Sequence, residues 1–393
     1  MKNILILGAG HANISLIKSL PSDVFLKAKF TLISETKQHY TTVLLHEVVS
    51  GARMDSVVFN LDKVLPDKVE FIEDSVKEIR EGFVICDRNE YKYDILVIGL
   101  GFSSDVFGIK GVKEFAFSIT NLDSAIRLHN VIKNKIKAQD NKEFSIVVCG
   151  GGFSGVELIA SLADEMSNLC KDSNMSYKNI KLSCIEAMPN ILPMFSNDLV
   201  LDAVKYLSNL GIDIKVGAKI LECGEDYVLV EKNGEKHSIK ADIIIWTAGV
   251  RGNEVIENSN FFTSTRSKIE VNEHLKPINQ KNQDSMDNIF VIGDCAALKD
   301  PYSNRFYPPT AQISLQMGKY LAYVLSRIID DNVVSNKFIF KTKGTICSLG
   351  NDYAVGNIFN KSVKGKLVLY LKHAIESRWR WQLNGLKGLF NHK

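Results

Sequence analysis

The chain has 393 residues, 45% hydrophobic and 24% charged, a composition that excludes disordered and fibrous proteins and allows about two to three domains. Its 48 Lys and Arg against 45 Asp and Glu leave a net charge of +3, too small for a chain-wide nucleic-acid footprint, and no nucleic-acid partner is expected. The seven cysteines (Cys86, Cys149, Cys170, Cys184, Cys223, Cys295, Cys347) contain no CxxC pair, so neither a disulfide framework nor a thiolate metal site is expected; they read as buried thiols in a reducing compartment.

MKNILILGAG runs straight into an apolar strand and a glycine turn, without the segments of a secretory leader, and the chain is read as mature from Met1 and cytoplasmic. No run reaches the ~18 to 20 apolar residues of a spanning helix.

One pattern occurs twice: an apolar strand, a glycine-rich turn, and a helix of apolar periodicity. The first copy has a strand over 4–7, Gly8 and Gly10 in the turn, and a helix over about 12–20 with His11 in its first turn. The second has a strand over 145–149, then Gly150, Gly152 and Gly155, then a helix to about residue 169. In such a turn the first glycine makes the bend, the second admits a pyrophosphate, and the third lets helix and strand approach, while the helix N-terminus offers free N–H groups. The second copy meets every requirement; the first carries Asn13 where the third glycine belongs. Each copy leads to a strand ending near an acid, Glu35 in the first, with Ser34 an equally placed alternative, and Glu186 in the second. An acid there binds a ribose and repels a 2′-phosphate, which favours NADH over NADPH.

Buried strands follow in YDILVIGLG, closing on Gly101, in ADIIIWTAG, closing on Gly249, and in NIFVIGD, closing on Asp294. Two dinucleotide sites imply a permanently held FAD and NADH as hydride donor. Asp294 would accept a hydrogen bond from a ribityl hydroxyl, the alternative being a solvated turn. Pro308 and Pro309 are read as the first turn of a helix to about residue 329, whose start, with Ala311, would aim its dipole at the isoalloxazine.

These stretches, with HYTTVLLHEVVSG, CGGGFSGVEL, IEAMPNILPMF, WTAGVRGN, PPTAQISLQ and AVGNI, resemble the type II NADH dehydrogenases, non-pumping NADH:quinone oxidoreductases of the two-dinucleotide flavoproteins, over nearly the whole length. The chain departs from that family at Asn13 and at Leu100, which precedes Gly101. The resemblance implies that Gln312 and Gln316, at i and i+4, meet the quinone headgroup; that Glu157 lies near the nicotinamide–flavin contact, either handling a proton or stabilising its helix dipole; and that Glu47 lies by the flavin.

Residues 364–393 hold seven Lys and Arg and one acid. Leu367, Leu371, Ile375, Trp379, Leu383, Leu386 and Phe390 form a stripe beside Lys372, Arg380 and Lys387, with Trp381 as a second anchor. This reads as a helix in a membrane interface, the alternatives being docking on the protein's own core or on a second subunit.

The expected architecture is α/β, with two Rossmann-like dinucleotide-binding domains, for FAD and NADH, plus a C-terminal membrane-associating segment. The FAD domain takes residues 1–115 and 266–335, the NADH domain 116–265, and the membrane-associating region 336–393. The expected protein is peripheral, on the cytoplasmic face of the cell membrane, with a homodimer left open. Competing readings are a sulfide:quinone oxidoreductase, which needs cysteines flanking the flavin, and an NADH-binding flavoprotein acting as a sensor or interaction partner.

Overall fold

The computed structural model describes residues 1–53, 57–278 and 286–390, the side chains of 386–390 excepted. Helices α1 (His11–Ser19), α2 (Leu45–Ser50), α3 (Leu122–Ala138), α4 (Phe153–Cys170), α5 (Asn197–Asn209), α6 (Ala311–Ile329) and α7 (Lys366–Phe390) are joined by short strands and loops.

The chain forms two compact units. The first comprises Met1–Tyr40, Val58–Ser103 and Arg251–Thr342. Its central sheet runs, in order, Ile289–Val291, Ile95–Ile98, Lys2–Leu7, Ala28–Ser34 and Val69–Glu73, with every pairing parallel. Ile95–Ile98 is buried along its whole length, as expected of a β-branched strand covered on both faces. Helices α1 and α6 pack closely because Gly318 lacks a side chain: a Cβ there would stand 2.2 Å from the Ala12 carbonyl oxygen.

The second unit comprises Thr41–Val57, Ser104–Val250 and Lys343–Lys393. Its sheet runs Ala116–Ser118, Ile243–Trp246, Phe144–Cys149, Ile180–Glu186 and Ile212–Val216, again all parallel. The strand that opens each unit's glycine turn is therefore third in both sheets.

The units divide the chain differently from the expected boundaries. Helix α2 belongs with the second unit, where the Ser161 hydroxyl of α4 donates to the Ser50 hydroxyl at 2.7 Å. The C-terminal residues also belong there. An antiparallel meander of Thr345–Ser348, Ala354–Ile358 and Lys361–Lys364 carries α7, whose Val368 and Leu369 are buried against Ala354.

Helix α7 corrects the expected stripe in two respects. Trp379 and Leu383 are buried, and so is Arg380, while Lys372 keeps only 13% of its side chain exposed; the sequence reading placed both cations beside the stripe facing a membrane. The helix also breaks at Asn384 and Gly385 (φ 57°, ψ −147°), so its residues cannot continue one straight face. Leu386, Lys387 and Phe390 as side chains, and Lys393, lie outside the described residues. The exposed residues of α7 include Lys366, Leu367, Tyr370, Leu371, Ala374, Ile375, Arg378 and Trp381. No described helix is long and apolar enough to cross a membrane.

Candidate active site

Both glycine turns begin with a residue in left-handed backbone, Gly8 at φ +92° and Gly150 at φ +123°. A Cβ at Gly8 would lie 2.5 Å from the Gly99 carbonyl oxygen, and one at Gly150 2.8 Å from the Ala248 backbone. Gly10 and Gly152 are the N-caps of α1 and α4, and neither helix has a side-chain cap. Over Gly152 an added Cβ meets nothing within 4 Å. Uncapped N–H groups beneath open space are the donor set a pyrophosphate requires.

Asn13 fills its departure from the glycine pattern with hydrogen bonds. Its Nδ2 donates to the carbonyls of Leu7 and Gly8, each at 2.7 Å. Gly99 makes room: a Cβ there would stand 2.5 Å from that nitrogen. At the second turn Gly155 is indispensable, since a Cβ would come within 1.9 Å of the Gly150 carbonyl oxygen.

Glu186 accepts from the Gly151 N–H at 2.7 Å and the Met188 N–H at 2.8 Å, so its carboxylate stands beside the turn. In the first unit, Leu7 pairs with Ile33 as Cys149 pairs with Ile185, which makes Ser34, not Glu35, the positional counterpart of Glu186. Glu35 follows one residue later and accepts from the Ser75 hydroxyl at 3.0 Å.

His11 opens α1 and meets His39 edge to face, with ring centroids 5.2 Å apart. Burial depresses both, His11 to about 3, helped by His39, and His39 to about 4, so both rings are neutral at physiological pH. Asp294 follows the strand Ile289–Val291; burial raises its carboxyl pKa, opposed by Lys268. The Gly101 carbonyl accepts from the Cys295 thiol, and the Leu100 carbonyl from the Asn253 amide at 3.1 Å. The Gly249 carbonyl accepts from the Asp105 N–H, and a Cβ at Gly249 would strike the Phe107 ring.

Helix α6 begins at Ala311, not at the prolines. Thr310 is its N-cap, accepting from the Ile313 N–H, and Pro308 and Pro309 precede the cap. Gln312 stands one turn before Gln316, but the Gln316 amide is engaged: it donates to the Lys341 carbonyl at 2.9 Å and accepts from the Lys341 N–H at 3.1 Å. It clamps an irregular strap to the helix, as does Tyr320, whose hydroxyl donates to the Asn336 carbonyl.

Glu157 is the fifth residue of α4, just past the first turn and its free N–H groups. Lys372 Nζ donates to its carboxylate at 2.5 Å, and the Ser348 N–H and hydroxyl do so at 3.0 Å. Burial works to raise the Glu157 carboxyl, but Lys372, His46 and the bond from Ser348 outweigh it and hold the group ionised. Glu47, on α2, is 3.2 Å from Arg53 Nε. The sequence reading missed the ion pair of Lys372 with Glu157 because no local pattern links positions 215 residues apart.

A family model described as pyridine nucleotide-disulphide oxidoreductase matches residues 2–318. The type II NADH:quinone oxidoreductase of Staphylococcus epidermidis is 36% identical over 98% of this chain and 96% of its own. That of Staphylococcus aureus is equally similar. Among solved structures, NDH2 of Plasmodium falciparum in complex with NADH superposes with a TM-score of 0.85 at 19% identity, over 99% of this chain and 97% of that one. The sulfide:quinone oxidoreductase of Aquifex aeolicus reaches 0.78 at 20% identity, over 99% and 92%. The fold and its paired cradles thus define a two-dinucleotide flavoprotein. The chain belongs to the pyridine nucleotide-disulphide oxidoreductases, and within them to the type II NADH:quinone oxidoreductases.

Proposed function

We infer that this chain is an FAD-dependent NADH:quinone oxidoreductase that passes hydride from NADH to FAD and electrons onward to a membrane quinone, without proton pumping. The observation that carries this is the pair of uncapped glycine cradles, one in each unit, in a chain matched end to end by enzymes of that class. Bound FAD supplies a two-electron carrier between donor and quinone.

In the first unit, Gly8, Gly10 and the α1 N-terminus hold the flavin's pyrophosphate, Asn13 braces that turn, and Ser34 or Glu35 holds the ribose. His11, Gly101, Asp294 and Ala311 line the rest of the cofactor; the neutral His11 ring adds no charge, and the α6 dipole at Ala311 favours negative charge on the flavin. Glu47 is the remaining FAD contact. In the second unit, Gly150, Gly152 and Gly155 seat the NADH pyrophosphate, Glu186 selects the ribose, and Gly249 keeps the edge of that site clear.

The reaction NADH + H⁺ + quinone → NAD⁺ + quinol draws one proton from solvent. Glu157, ionised and bonded to Lys372 and Ser348, is the group that takes up and delivers it. Gln312 donates to the quinone carbonyl without adding charge, and Gln316 supports it by fixing the strap at Lys341.

The exposed face of α7 lies on the cytoplasmic leaflet. Leu367, Tyr370, Leu371, Ile375 and Trp381 support this reading through exposed apolar area, with Arg378 the cation among them. Lys364 and Lys366 are paired with Asp202 and Asp352, so insertion outweighs charge attraction and salt weakens binding only modestly. Leu371→Glu with Ile375→Glu should release the protein from vesicles; dissociation of a dimer instead would assign that face to a second copy.

Sulfide chemistry is disfavoured by the thiols. Cys347, in the Thr345–Ser348 strand, is fully buried and its thiol pKa is raised by burial, which suppresses the nucleophilic thiolate. The decisive experiment records the flavin bands of the purified protein, their bleaching by NADH, and their return on adding a short-chain quinone. Bleaching by sulfide but not by NADH would overturn the assignment.

A further inference from the structure

Around α7 the second unit buries a cluster of ionisable side chains, and one of them is unbonded. Both carboxylate oxygens of Glu376 are buried and have no hydrogen-bond partner. Arg53 Nη1 lies 3.6 Å from Oε2, and Lys372 Nζ lies 3.8 Å from Oε1. The charged and titratable groups packed around it are His46 and Glu47 of α2, Arg53 after that helix, Glu157 of α4, and Lys372, His373 and Arg380 of α7 itself. The meander strand contributes Ser348 and Cys347 and no charge.

The contrast with Glu157 is informative. The same ammonium, Lys372, is drawn to 2.5 Å from Glu157 and stands 3.8 Å from Glu376. An ionised buried carboxylate beside two cations would be expected to close on one of them, whereas a protonated one need not. Burial raises the Glu376 carboxyl to about 7; Lys372 opposes this, Glu47 adds to it, and Arg53 opposes it again.

We propose that Glu376 is a positioning residue for the quinone half-reaction that stores the proton drawn from solvent and resupplies Glu157 through the Lys372 ammonium. This rests on the reading of Glu157 given above. The relay conserves protons and charge. Lys372 gives one N–H proton to the Glu157 carboxylate and takes one from the Glu376 carboxyl, so Glu157 ends protonated, Glu376 ionised, and Lys372 an ammonium as before. The Lys372 to Glu376 gap must close by about 0.6 to 1 Å to reach hydrogen-bond distance. Glu376 recovers its proton from solvent at the edge where Arg53 is a quarter exposed.

The test is stopped-flow reoxidation of the NADH-reduced holoenzyme by a short-chain quinone, from about pH 5.5 to 8.5. For the wild type, reoxidation should slow through an inflection near 7 as Glu376 loses its proton. Glu376→Gln should abolish the inflection and slow reoxidation by about tenfold or more on its acid side, while bleaching by NADH keeps its rate. Glu376→Asp, which still carries a proton, should restore an inflection at a displaced pH, and it decides the matter if the Gln variant loses its flavin. An unmoved inflection in Glu376→Gln or Glu376→Asp, with Glu157→Gln still slow to reoxidise, overturns the relay alone. Rapid reoxidation in Glu157→Gln at every pH overturns the Glu157 reading and the relay together.

Discussion

The two dinucleotide units solve one packing problem by exchanging parts. Leu7 pairs with Ile98 as Cys149 pairs with Trp246, so Gly99 and Thr247 occupy corresponding positions after the neighbouring strand. In the first unit the helix contributes the polar side chain, Asn13, and the strand contributes the glycine. In the second the helix contributes the glycine, Gly155, and the strand contributes Thr247, whose hydroxyl is 3.0 Å from the Cys149 carbonyl oxygen and 3.3 Å from that of Gly150. Asn13 Nδ2 reaches the matching carbonyls of Leu7 and Gly8. What the turn requires is one donor to two carbonyls and one absent side chain; which element supplies each is free. A fingerprint that demands a third glycine on the helix recognises only one of the two solutions.

The sharpest way to break the comparison is Gly155→Ala. Its Cβ would meet the Gly150 backbone oxygen at 1.9 Å, so the turn itself must move. We expect a loss of more than about 3 kcal/mol from the second unit and NADH bleaching weakened at least tenfold, with FAD content preserved; flavin absorbance and the NADH dependence of bleaching report the two. Should Gly155→Ala prove no worse than Asn13→Ala, the third position would not be under the constraint drawn here.

His11 and His39 of the first unit and Glu376 of the second pull stability in opposite directions with pH. His11 and His39 titrate below their unfolded values, so between about pH 3 and 6.5 the unfolded chain binds more protons and the first unit gains stability as pH rises. Glu376 titrates above its unfolded value, so between about 4.5 and 7 the folded second unit binds the extra proton and loses stability as pH rises. Glu376→Gln should remove the second slope and stabilise the protein by about 3 kcal/mol at pH 8, with little effect below pH 4.5. Chemical denaturation at the two pH values measures this.

A gentler exchange sharpens the comparison. Asn13→Gly removes two hydrogen bonds under the first turn and should cost about 1 to 3 kcal/mol, with weaker flavin retention. Adding Gly99→Thr would recreate the second unit's arrangement and should recover part of that loss, a coupling that a double-mutant cycle isolates. Additive losses would show that the correspondence is one of position and not of function.

Much of this was legible in the sequence because it is local. The strand–turn–helix repeat, the strands closing on Gly101 and Gly249, and the end of NIFVIGD are contiguous patterns, and the structure contains elements at each. The assignment of α2 to the second unit was not legible, since HYTTVLLHEVVSG carries no mark of which sheet it covers. Nor was the true face of α7. Periodicity in Leu367–Leu383 identifies a helix with an apolar side, but Val368 and Leu369 pack on the meander, Trp379 and Leu383 are buried as well, and Leu367, Leu371 and Ile375 are left outside. Lys372 looks like a surface cation until Glu157, on a helix that only tertiary folding brings to it, draws it inward. Gln316 likewise reads as a ligand until the strap at Lys341 occupies it.

The smallest expected effect concerns a position beside the two glycine turns where the units differ in charge. At the end of the second strand the first unit has Ser34 and the second Glu186, at equivalent positions in their sheets. Glu186 is held in place by the Gly151 and Met188 N–H groups, so its negative charge lies beside the turn. A ribose bearing free hydroxyls can donate to that carboxylate, whereas a 2′-phosphate would meet it charge against charge. NADH should therefore exceed NADPH by about tenfold or more in kcat/KM, about 1.4 kcal/mol of transition-state discrimination. Glu186→Ser gives the second unit the residue of the first and should narrow that ratio mainly by improving NADPH, because removing the charge relieves a repulsion that NADH never meets. The steady-state ratio for the two donors, measured before and after the exchange, decides it. If the ratio stays fixed, selection lies elsewhere in the second cradle and Glu186 serves only to brace the Gly151 turn.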